Sequence, residues 1–440
     1  MNDSSAYTCP CSKSELDIFT VPPVNMGMEA GETVIHHPIS TLADNSPIEF
    51  TIPGSPSDYI DLSKTLLTVK VKLCKLDNSN LALDAKVSTC NLLLHSLFSQ
   101  VDVKLNDRLV TPSTGTYPYK SYLETLLSHG NESKDSWLQS ELWANDSGEI
   151  DSNDPTDEDS NPGLIARYNR LKASAPIQLS GRPHVDIFQQ ERYLISGVRM
   201  DVKLSRANRN FYLMSPDASA AKLVIMDATL HIRRVRINPT IALAHSKTLD
   251  QGKNAMYPIR RGVVTSFLVP SGTLSINREN VITGQLPRRV IVGLVPNSAY
   301  NGNCTQNPFY FSHCQLNHLT LSSSGQNYPS SALKPDYNAN LYTEAFTMMY
   351  SNCGLLNTDR GLDISMDDFK NGSTLYVFDL TADQDVDGAH VDPIKYGNIR
   401  LEAHFARQLR DAHNVLVYGE YQNLIQVDRA RNILADFGSS

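Results

Sequence analysis

Short stretches in which apolar and polar residues alternate recur along most of this 440-residue chain, separated by clusters of Gly, Pro, Asn and Ser. Alternation with a period of two predicts strands with one buried face, and such strands at short intervals predict a β-sandwich or barrel. The first half has predicted strands at residues 47–53, 64–76, 97–105, 185–188, 193–204, 211–214 and 223–237. The second half has predicted strands at residues 263–269, 273–276, 289–295, 316–321, 374–380, 398–405 and 414–427.

A few short helices interrupt these strands. Apolar residues at helical spacing predict a helix at residues 117–130, and a similar stretch at residues 340–350 occupies a comparable place in the second half. Residues 133–143 and 239–250 are also predicted to be helical. The chain exceeds the size at which one hydrophobic core usually stops growing. The sequence therefore predicts an all-β protein of two tandem sandwiches, divided near residues 238–255.

The two ends of the chain lack these patterns. Residues 1–45 show no sustained period and contain scattered Pro and Gly, which predicts an extended N-terminal arm. Residues 429–440 are interpreted as a C-terminal tail. Extended end segments of this kind often pack on neighbouring subunits, so we expect both to tie neighbouring assemblies together.

The charge distribution argues against strong direct binding of nucleic acid. The chain has 47 acidic and 39 basic residues. Residues 141–163 contain eight of the acids and no Lys or Arg, so the remaining sequence is balanced. Coating nucleic acid requires a basic excess that neutralises many phosphates. The acidic run itself is predicted to be an exposed loop that cannot bury itself.

The sequence shows no clear signal for secretion or for insertion into a membrane. Seven cysteines are too sparse and irregular for a disulfide framework. The N-terminal residues lack a basic start followed by a continuous apolar stretch, and no apolar run has the length of a membrane span. We therefore expect synthesis in the cytoplasm or nucleus, without passage through the endoplasmic reticulum.

Two groups of residues could ligate metal ions. Asp383, Asp385 and Asp387 match the opening of a calcium-binding loop, but its closing position holds Ile394 instead of a bidentate Glu. Asp392 could take that role, although a solvated acidic turn is the simpler interpretation. We therefore predict no metal ion and no cofactor, with these three aspartates as weak candidates.

The second group could bind zinc. Cys304, His313, Cys314 and His318 lie within fifteen residues but fit no standard zinc spacing, and adjacent residues on a strand point to opposite sides. The stretch Cys9-Pro10-Cys11 is C-x-C rather than the redox motif C-x-x-C. Both groups are interpreted as incidental.

The sequence contains no catalytic motif that would define an enzyme. G-x-S-x-G, the P-loop and a G-x-G-x-x-G after a strand are all absent. Paired carboxylates of the glycosidase type stay open, because acidic residues occur throughout the chain. We predict that the protein is not an enzyme.

Eight side chains are candidate interface residues, each with a structural alternative. Arg233, Arg234 and Arg236 could face nucleic acid or a neighbour's acidic loop, or form ordinary ion pairs. Tryptophans could anchor a partner or belong to the core. The helix at residues 117–127 is predicted to pack between a sheet and a neighbouring subunit. The aromatic members of the set are Tyr117, Tyr119, Tyr122, Trp137 and Trp143.

Several blocks of the first half carry a resemblance to a known family. They are residues 47–73, SLFSQVDVKLND at 96–107, YPYKSYLETLL at 117–127, and residues 179–204, which include GRPHVDIFQQ. In order and spacing they resemble the major capsid proteins of Polinton (Maverick) elements, adintoviruses and related double-stranded DNA viruses.

The resemblance implies a double jelly roll of two tandem eight-stranded sandwiches, with a few short helices in the loops. The strand pattern places the first at residues 46–237 and the second at residues 256–428, with residues 238–255 as linker. The resemblance also implies a homotrimer that forms pseudo-hexameric capsomers of an icosahedral virion around a double-stranded DNA genome. The implied partners are neighbouring capsomers, a penton protein, a packaging ATPase and a maturation protease. Deleting residues 1–40 is expected to leave trimers but to impair shells.

Two other classes of function are compatible with predicted sandwiches. One is a carbohydrate-binding or receptor-binding protein, with calcium at Asp383, Asp385 and Asp387 in a calcium-dependent version. The other is an enzyme on a sandwich scaffold, such as a glycoside hydrolase. Electron microscopy of the purified protein separates these classes, because only a capsid protein should form hexagonal trimers or closed shells.

Overall fold

The computed structural model describes residues 24–44, 46–217, 221–388 and 392–435, together with Leu16, Ile18, Phe19, Val21 and Phe437. Its strands are β1 (Met28–His36), β2 (Ile48–Ile52), β3 (Asp58–Lys75), β4 (Ser88–Thr89), β5 (Phe98–Leu105), β6 (Arg108–Leu109), β7 (Ile177–Gly181), β8 (Met200–Arg206), β9 (Leu213–Met214), β10 (Ala221–Ile237), β11 (Ala255–Val269), β12 (Ser275–Gln285), β13 (Arg289–Pro296), β14 (Leu316–Ser323), β15 (Gln326–Leu333), β16 (Leu375–Asp379), β17 (Tyr396–Phe405), β18 (His413–Val427) and β19 (Ile433–Ala435).

The α-helices are all short. They are α1 (Leu93–Ser96), α2 (Tyr117–Ser128), α3 (Asn131–Lys134), α4 (Pro162–Leu171), α5 (Arg209–Tyr212), α6 (Pro239–Asp250), α7 (Asn297–Tyr300), α8 (Thr343–Asn352) and α9 (Met366–Lys370). Single turns of 3-10 helix lie at Trp137–Glu141, Lys172–Ser174 and Asp186–Phe188.

Both halves of the chain use the same strand order. In the first half, one sheet has the order β1-β10-β3-β7 and the facing sheet the order β2-β8-β5-β6, while β4 and β9 form a small separate pair. In the second half, the sheets have the orders β11-β18-β13-β16 and β12-β17-β14-β15, with β19 added beside β18. If the eight main strands of each half are counted in sequence, both halves read 1-8-3-6 and 2-7-4-5. This is the jelly-roll arrangement, so the predicted double jelly roll is confirmed.

Burial follows the alternation that predicted the strands. In β3, Leu67, Val69, Val71 and Leu73 are each at most 2% exposed, and the residues between them face outward. β16 is buried along its whole length because both faces of this strand are covered. The cores of both halves join into one continuous hydrophobic cluster.

The predicted N-terminal arm contains the first strand of the fold. β1 pairs antiparallel with β10 along nearly its whole length, from Met28 opposite Ile237 to His36 opposite Leu230. β1 is an edge strand with six consecutive exposed residues at its start. Because neither face of this part is buried, the sequence shows no apolar alternation there. The tail also contains a strand, since β19 pairs with β18 through Ile433 and Val427.

Several local predictions for the first half were wrong. Residues 186–188 form a 3-10 turn, residues 209–212 form α5, and strand β8 begins only at Met200. The predicted helix at residues 133–143 is broken into α3 and a 3-10 turn, because Ser136 between them has non-helical backbone angles (φ −118°, ψ −105°). Leu142, with a φ of 61°, ends the 3-10 turn. By contrast, α6 occupies the predicted residues 239–250, and the side chain of Asn238 caps it by accepting a hydrogen bond from the Thr240 N–H.

The acidic run at residues 141–163 is less exposed than predicted. Asp146 is only 8% exposed and forms an ion pair with Arg167 at 2.9 Å. Asn161 donates a hydrogen bond of 2.8 Å to the same carboxylate, and Ile150 is buried. The run therefore packs on the body of the first half, because an arginine that follows it in sequence neutralises part of its charge.

Candidate functional site at the junction of the two halves

Helix α2 lies where the two jelly rolls meet. Thr116, the residue before it, donates a side-chain hydrogen bond of 3.0 Å to the backbone oxygen of Val264 on β11. Pro118 occupies the first turn, where its missing N–H costs nothing. Ten of the twelve residues in α2 are buried. The helix therefore packs against the second half of its own chain.

Aromatic side chains on α2 stack on aromatic residues of the second half. The rings of Tyr122 and Phe309 are 4.1 Å apart at their centroids and 2° from parallel. Tyr119 stacks on Tyr300 at 5.5 Å and meets Phe309 edge-on at 5.8 Å. Each of these pairs joins the first jelly roll to the second. Offset and edge-on pairs of this kind add stability beyond the area they bury.

Trp143 and Lys134 extend this stack at its first-half side. Trp143 is 3% exposed and lies 5.6 Å from the Tyr122 ring. The Lys134 ammonium lies 5.4 Å from the Trp143 ring centroid and donates a hydrogen bond to the backbone oxygen of Leu362 in the second half. Burial of this ammonium lowers the pKa of Lys134 to about 8.

The aromatic interface candidates thus fall into two groups. Tyr117, Tyr119, Tyr122 and Trp143 are between 3% and 7% exposed, so the chain itself already covers them. Trp137 is 51% exposed and contacts His129 edge-on at 5.2 Å. Of these five side chains, Trp137 alone has a large surface free to meet another subunit.

A buried polar cluster lies beside the aromatic stack. Tyr117 OH and His95 Nδ1 are 2.9 Å apart, and His95 Nε2 lies 3.2 Å from Glu141 Oε2. The side chains of His95 and Glu141 are only 1% and 3% exposed. Burial lowers the pKa of His95, because a charged imidazole would lose its hydration there.

His184 connects this part of the cluster to a second carboxylate. The rings of His95 and His184 meet edge-on at 4.7 Å, and His184 Nδ1 lies 2.7 Å from Glu124 Oε2. The Lys120 ammonium is 3.8 Å from Glu124 and forms a shorter ion pair with Asp186. Burial opposes ionisation of Glu124, but Lys120 and His184 lower the pKa of Glu124 to about 2.

The second half completes this cluster. The backbone N–H of Gly262 on β11 donates a hydrogen bond of 3.2 Å to Asp186 Oδ1. The hydroxyl of Tyr418 on β18 donates one of 3.3 Å to Glu124 Oε1. Gly262 leaves room for these groups, since a β-carbon there would lie 2.6 Å from the Tyr418 hydroxyl and 2.9 Å from Glu124. The cluster is therefore shared between both jelly rolls.

The three arginines of β10 make contacts within the first jelly roll. Arg236 forms an ion pair with Asp58 at 3.3 Å, with its own side chain 58% exposed. Arg234 donates a hydrogen bond of 3.1 Å to the backbone oxygen of Pro53. Arg233 packs so closely over Gly31 of β1 that a β-carbon there would lie 2.5 Å from its guanidinium. Each of the three arginines therefore has a contact within its own jelly roll.

The weak calcium candidates lie beside arginines. Asp387 pairs with Arg260 at 2.8 Å and with Arg289 at 3.2 Å, so both of its oxygens already contact positive charge. Asp383 accepts a hydrogen bond of 3.3 Å from the Asp385 backbone. This local charge disfavours a cation at Asp387.

The cysteines and histidines at residues 304–318 do not form a common cluster within the described part of the chain. His313 stacks on Tyr337 at 4.1 Å, whereas His318 faces His404 at 4.8 Å. Cys304 is buried in the hydrophobic core. Cys9 and Cys11 lie outside the described residues.

Sequence reasoning missed the buried polar cluster. A signal was present, because Lys120 and Glu124 are four residues apart on one helix, and His184 and Asp186 lie together in GRPHVD. Both stretches belong to the blocks that resemble viral capsid proteins. Periodicity cannot reveal that these distant stretches meet, since it reports only which faces are buried.

Fold and site together define a double jelly-roll protein whose two halves share one buried junction. A chain in the cryo-EM structure of the Sputnik virophage is similar to it, with a TM-score of 0.65 and 10% identity over 98% of this chain and 94% of that one. The Faustovirus major capsid protein gives a TM-score of 0.55 with 9% identity over 96% and 93% of the two chains. The mavirus major capsid protein gives 0.50 with 11% identity over 99% and 95%.

Comparison of sequences finds a relative of low identity. The chain is 21% identical over 403 residues to an uncharacterized protein of Caenorhabditis elegans, covering 89% of this chain and 93% of that protein. No family model matches the chain. Within the described residues, no helix combines the length and apolar character that crossing a bilayer requires.

Proposed function

We propose that this chain is a major capsid protein. The observation that carries the proposal is its similarity to the Sputnik virophage chain over 98% of its length at a TM-score of 0.65. This similarity spans both jelly rolls. The chain is also similar in structure to the major capsid proteins of Faustovirus and mavirus. The blocks that resemble Polinton and adintovirus capsid proteins support placement in that lineage.

The repeated strand order supports a trimer as the building unit. Each chain supplies two sandwiches with the same topology. Three chains then supply six similar sandwiches around one axis, which gives a pseudo-hexameric capsomer with the geometry that tiles a shell. Closed symmetric assemblies need complementary surfaces repeated at each contact. We propose that such capsomers form an icosahedral shell around a double-stranded DNA genome, with a penton protein at the vertices.

Exposed apolar side chains are candidates for these contacts. Trp137, Leu341 and Tyr396 are 51%, 67% and 68% exposed, and large apolar groups at a surface often mark interaction sites. Phe19 and Val21, before the first strand, are 92% and 84% exposed. We propose that this N-terminal segment contacts a neighbouring capsomer.

Electron microscopy and analytical ultracentrifugation of the purified full chain test the proposal. We expect a species of three times the chain mass, with a hexagonal outline, and shells at higher protein concentration. Monodisperse monomers at all concentrations would contradict it. Monomers that bind glycans only with calcium would instead favour a carbohydrate-binding protein.

A further inference from the structure

Three side chains of the buried polar cluster have the composition of a metal site. His95, Glu141 and His184 each place a potential ligand atom within 4.8 Å of one from each of the others. Zinc takes imidazole nitrogen and carboxylate oxygen as ligands, and two His with one Glu and a water is a ligand set found in zinc enzymes. The side chains are 1%, 3% and 13% exposed, so a bound ion would be nearly sealed from solvent.

The spacing of the first two ligands already suits coordination. Bond lengths of about 2.0–2.1 Å in a tetrahedral zinc site place neighbouring donor atoms about 3.3 Å apart. His95 Nε2 and Glu141 Oε2 are 3.2 Å apart. The third donor, on His184, lies within 4.8 Å of the other two, so it has to move by no more than about 1.5 Å to join them.

Neighbouring groups hold both imidazoles in a defined orientation. Tyr117 OH lies 2.9 Å from His95 Nδ1, and Glu124 Oε2 lies 2.7 Å from His184 Nδ1. Metal-binding histidines are usually oriented in this way, by a hydrogen bond at the ring nitrogen that does not bind the ion. His184 Nε2 lies 3.2 Å from the Thr125 hydroxyl, which a metal ion can displace.

The charge of the cluster favours a cation. Glu124, Glu141 and Asp186 supply three carboxylates, whereas among the described residues Lys120 supplies the one ammonium that forms an ion pair with any of them. Asp186 Oδ2 is buried without a hydrogen-bond partner. Buried carboxylates are costly unless they are paired or bind a metal.

We propose that His95, Glu141 and His184 bind one divalent ion of the zinc class, with water as a fourth ligand. The ion joins α1, the 3-10 turn at Trp137–Glu141 and the loop after β7, next to the junction of the two jelly rolls. It acts as a structural site that stabilises this corner. The site is independent of the capsid function proposed above, since it requires no partner chain.

A metal titration of the purified full chain tests this proposal. After chelator treatment and desalting, we expect one Zn²⁺ per chain to bind and to raise the thermal midpoint. Co²⁺ should bind competitively and give the visible absorption of a four-coordinate ion. No stoichiometric Zn²⁺ and no such Co²⁺ spectrum in the wild-type chain would overturn the proposal.

Variants locate the ion. Glu141→Gln keeps the shape of a side chain that packs closely over Gly181, and His184→Gln changes the most accessible ligand. Both should weaken Zn²⁺ binding at least tenfold. The matched control is His404→Ala, in a more exposed group with His318 and Glu402. Loss of binding in the control, with normal binding in Glu141→Gln, would place the ion at the surface group and overturn the proposal.

Discussion

The ring of Tyr122 lies parallel to the ring of Phe309, with centroids 4.1 Å apart, although the two residues belong to different jelly rolls. This contact makes the interior of one half depend on the other. Tyr122 therefore lies at the centre of the junction between the two jelly rolls, although its spacing in the sequence indicates only that it is buried.

Removing the Tyr122 ring should strongly destabilise the protein. We expect Tyr122→Ala to lower the free energy of unfolding by about 3–5 kcal/mol, because a large aromatic group leaves a cavity. Tyr119→Phe is the matched control, since the Tyr119 hydroxyl is buried without a hydrogen-bond partner and its removal should cost nothing. Urea denaturation measures both. Equal losses in the two variants would contradict this account of the junction.

The Lys120 ammonium should matter more than a surface lysine. Lys120→Met leaves Glu124 and Asp186 without their shared cation, and we expect a loss of about 3–5 kcal/mol in the free energy of unfolding. Lys86→Met removes an ion pair with Asp154 in which the lysine side chain is 49% exposed, and should cost far less, because solvent screens an exposed pair. The expectation fails if denaturation gives similar values for the two variants.

Asp151 should destabilise the protein at neutral pH. Burial raises the pKa of Asp151 to about 6, against 3.8 in the unfolded chain. The folded state therefore binds this proton more tightly. Protonated Asp151 therefore contributes stability that is fully present below pH 3.8 and is lost as the pH rises through 6.

Asp151→Asn removes the pH-dependent loss of stability, because an amide does not ionise. It keeps an oxygen that can accept the 2.8 Å hydrogen bond from the Asn307 N–H. At pH 7.5 we expect the variant to be more stable by about 1–2 kcal/mol, and the difference to shrink toward pH 4. Thermal denaturation across this pH range measures the effect. A difference independent of pH would show that ionisation of Asp151 is not its cause.

Trp137 should affect assembly without affecting folding. Its ring is 51% exposed, so we expect Trp137→Ser to change the free energy of unfolding by less than about 0.5 kcal/mol. If Trp137 lies in a subunit contact, the same change should weaken trimers in analytical ultracentrifugation by tenfold or more. Leu83→Ser, at a residue 69% exposed, is the control. Unchanged trimer affinity would remove Trp137 from the interface.

A deletion that tests the role of the N-terminal arm has to keep strand β1. Because Met28–His36 pairs with β10, removing residues 1–40 would also strip an edge strand and expose the backbone of β10. We expect that deletion to cause aggregation. Removing residues 1–23 keeps β1, and should give trimers of normal stability that fail to form shells. Normal shells from the shorter deletion would show that the arm has no role in assembly.

The sequence predicts the fold wherever one face of a strand is buried and the other is exposed. β3 and β5 were predicted for this reason, and α6 was predicted at the residues that it occupies. β1 and β15 were missed, since much of each is exposed and their residues carry no apolar alternation.

The buried polar cluster was missed for a different reason. His95 sits within an apolar run, and its partners Tyr117 and Glu141 come from other elements. Such contacts depend on how elements pack. Likewise, the burial of Tyr119 and Tyr122 was predicted, but their partner turned out to be the second half of the same chain.

The hydrogen bond from the Gly262 backbone to Asp186 fixes the first strand of the second jelly roll to a loop of the first. The contact of Thr116 with Val264 is a second hydrogen bond between the two sandwiches, and both bonds oppose rotation of one sandwich against the other. The chain is thus preorganised before it meets any partner. In the assembly proposed above, association would lose little internal conformational entropy, so contacts of modest strength would suffice to hold many copies together.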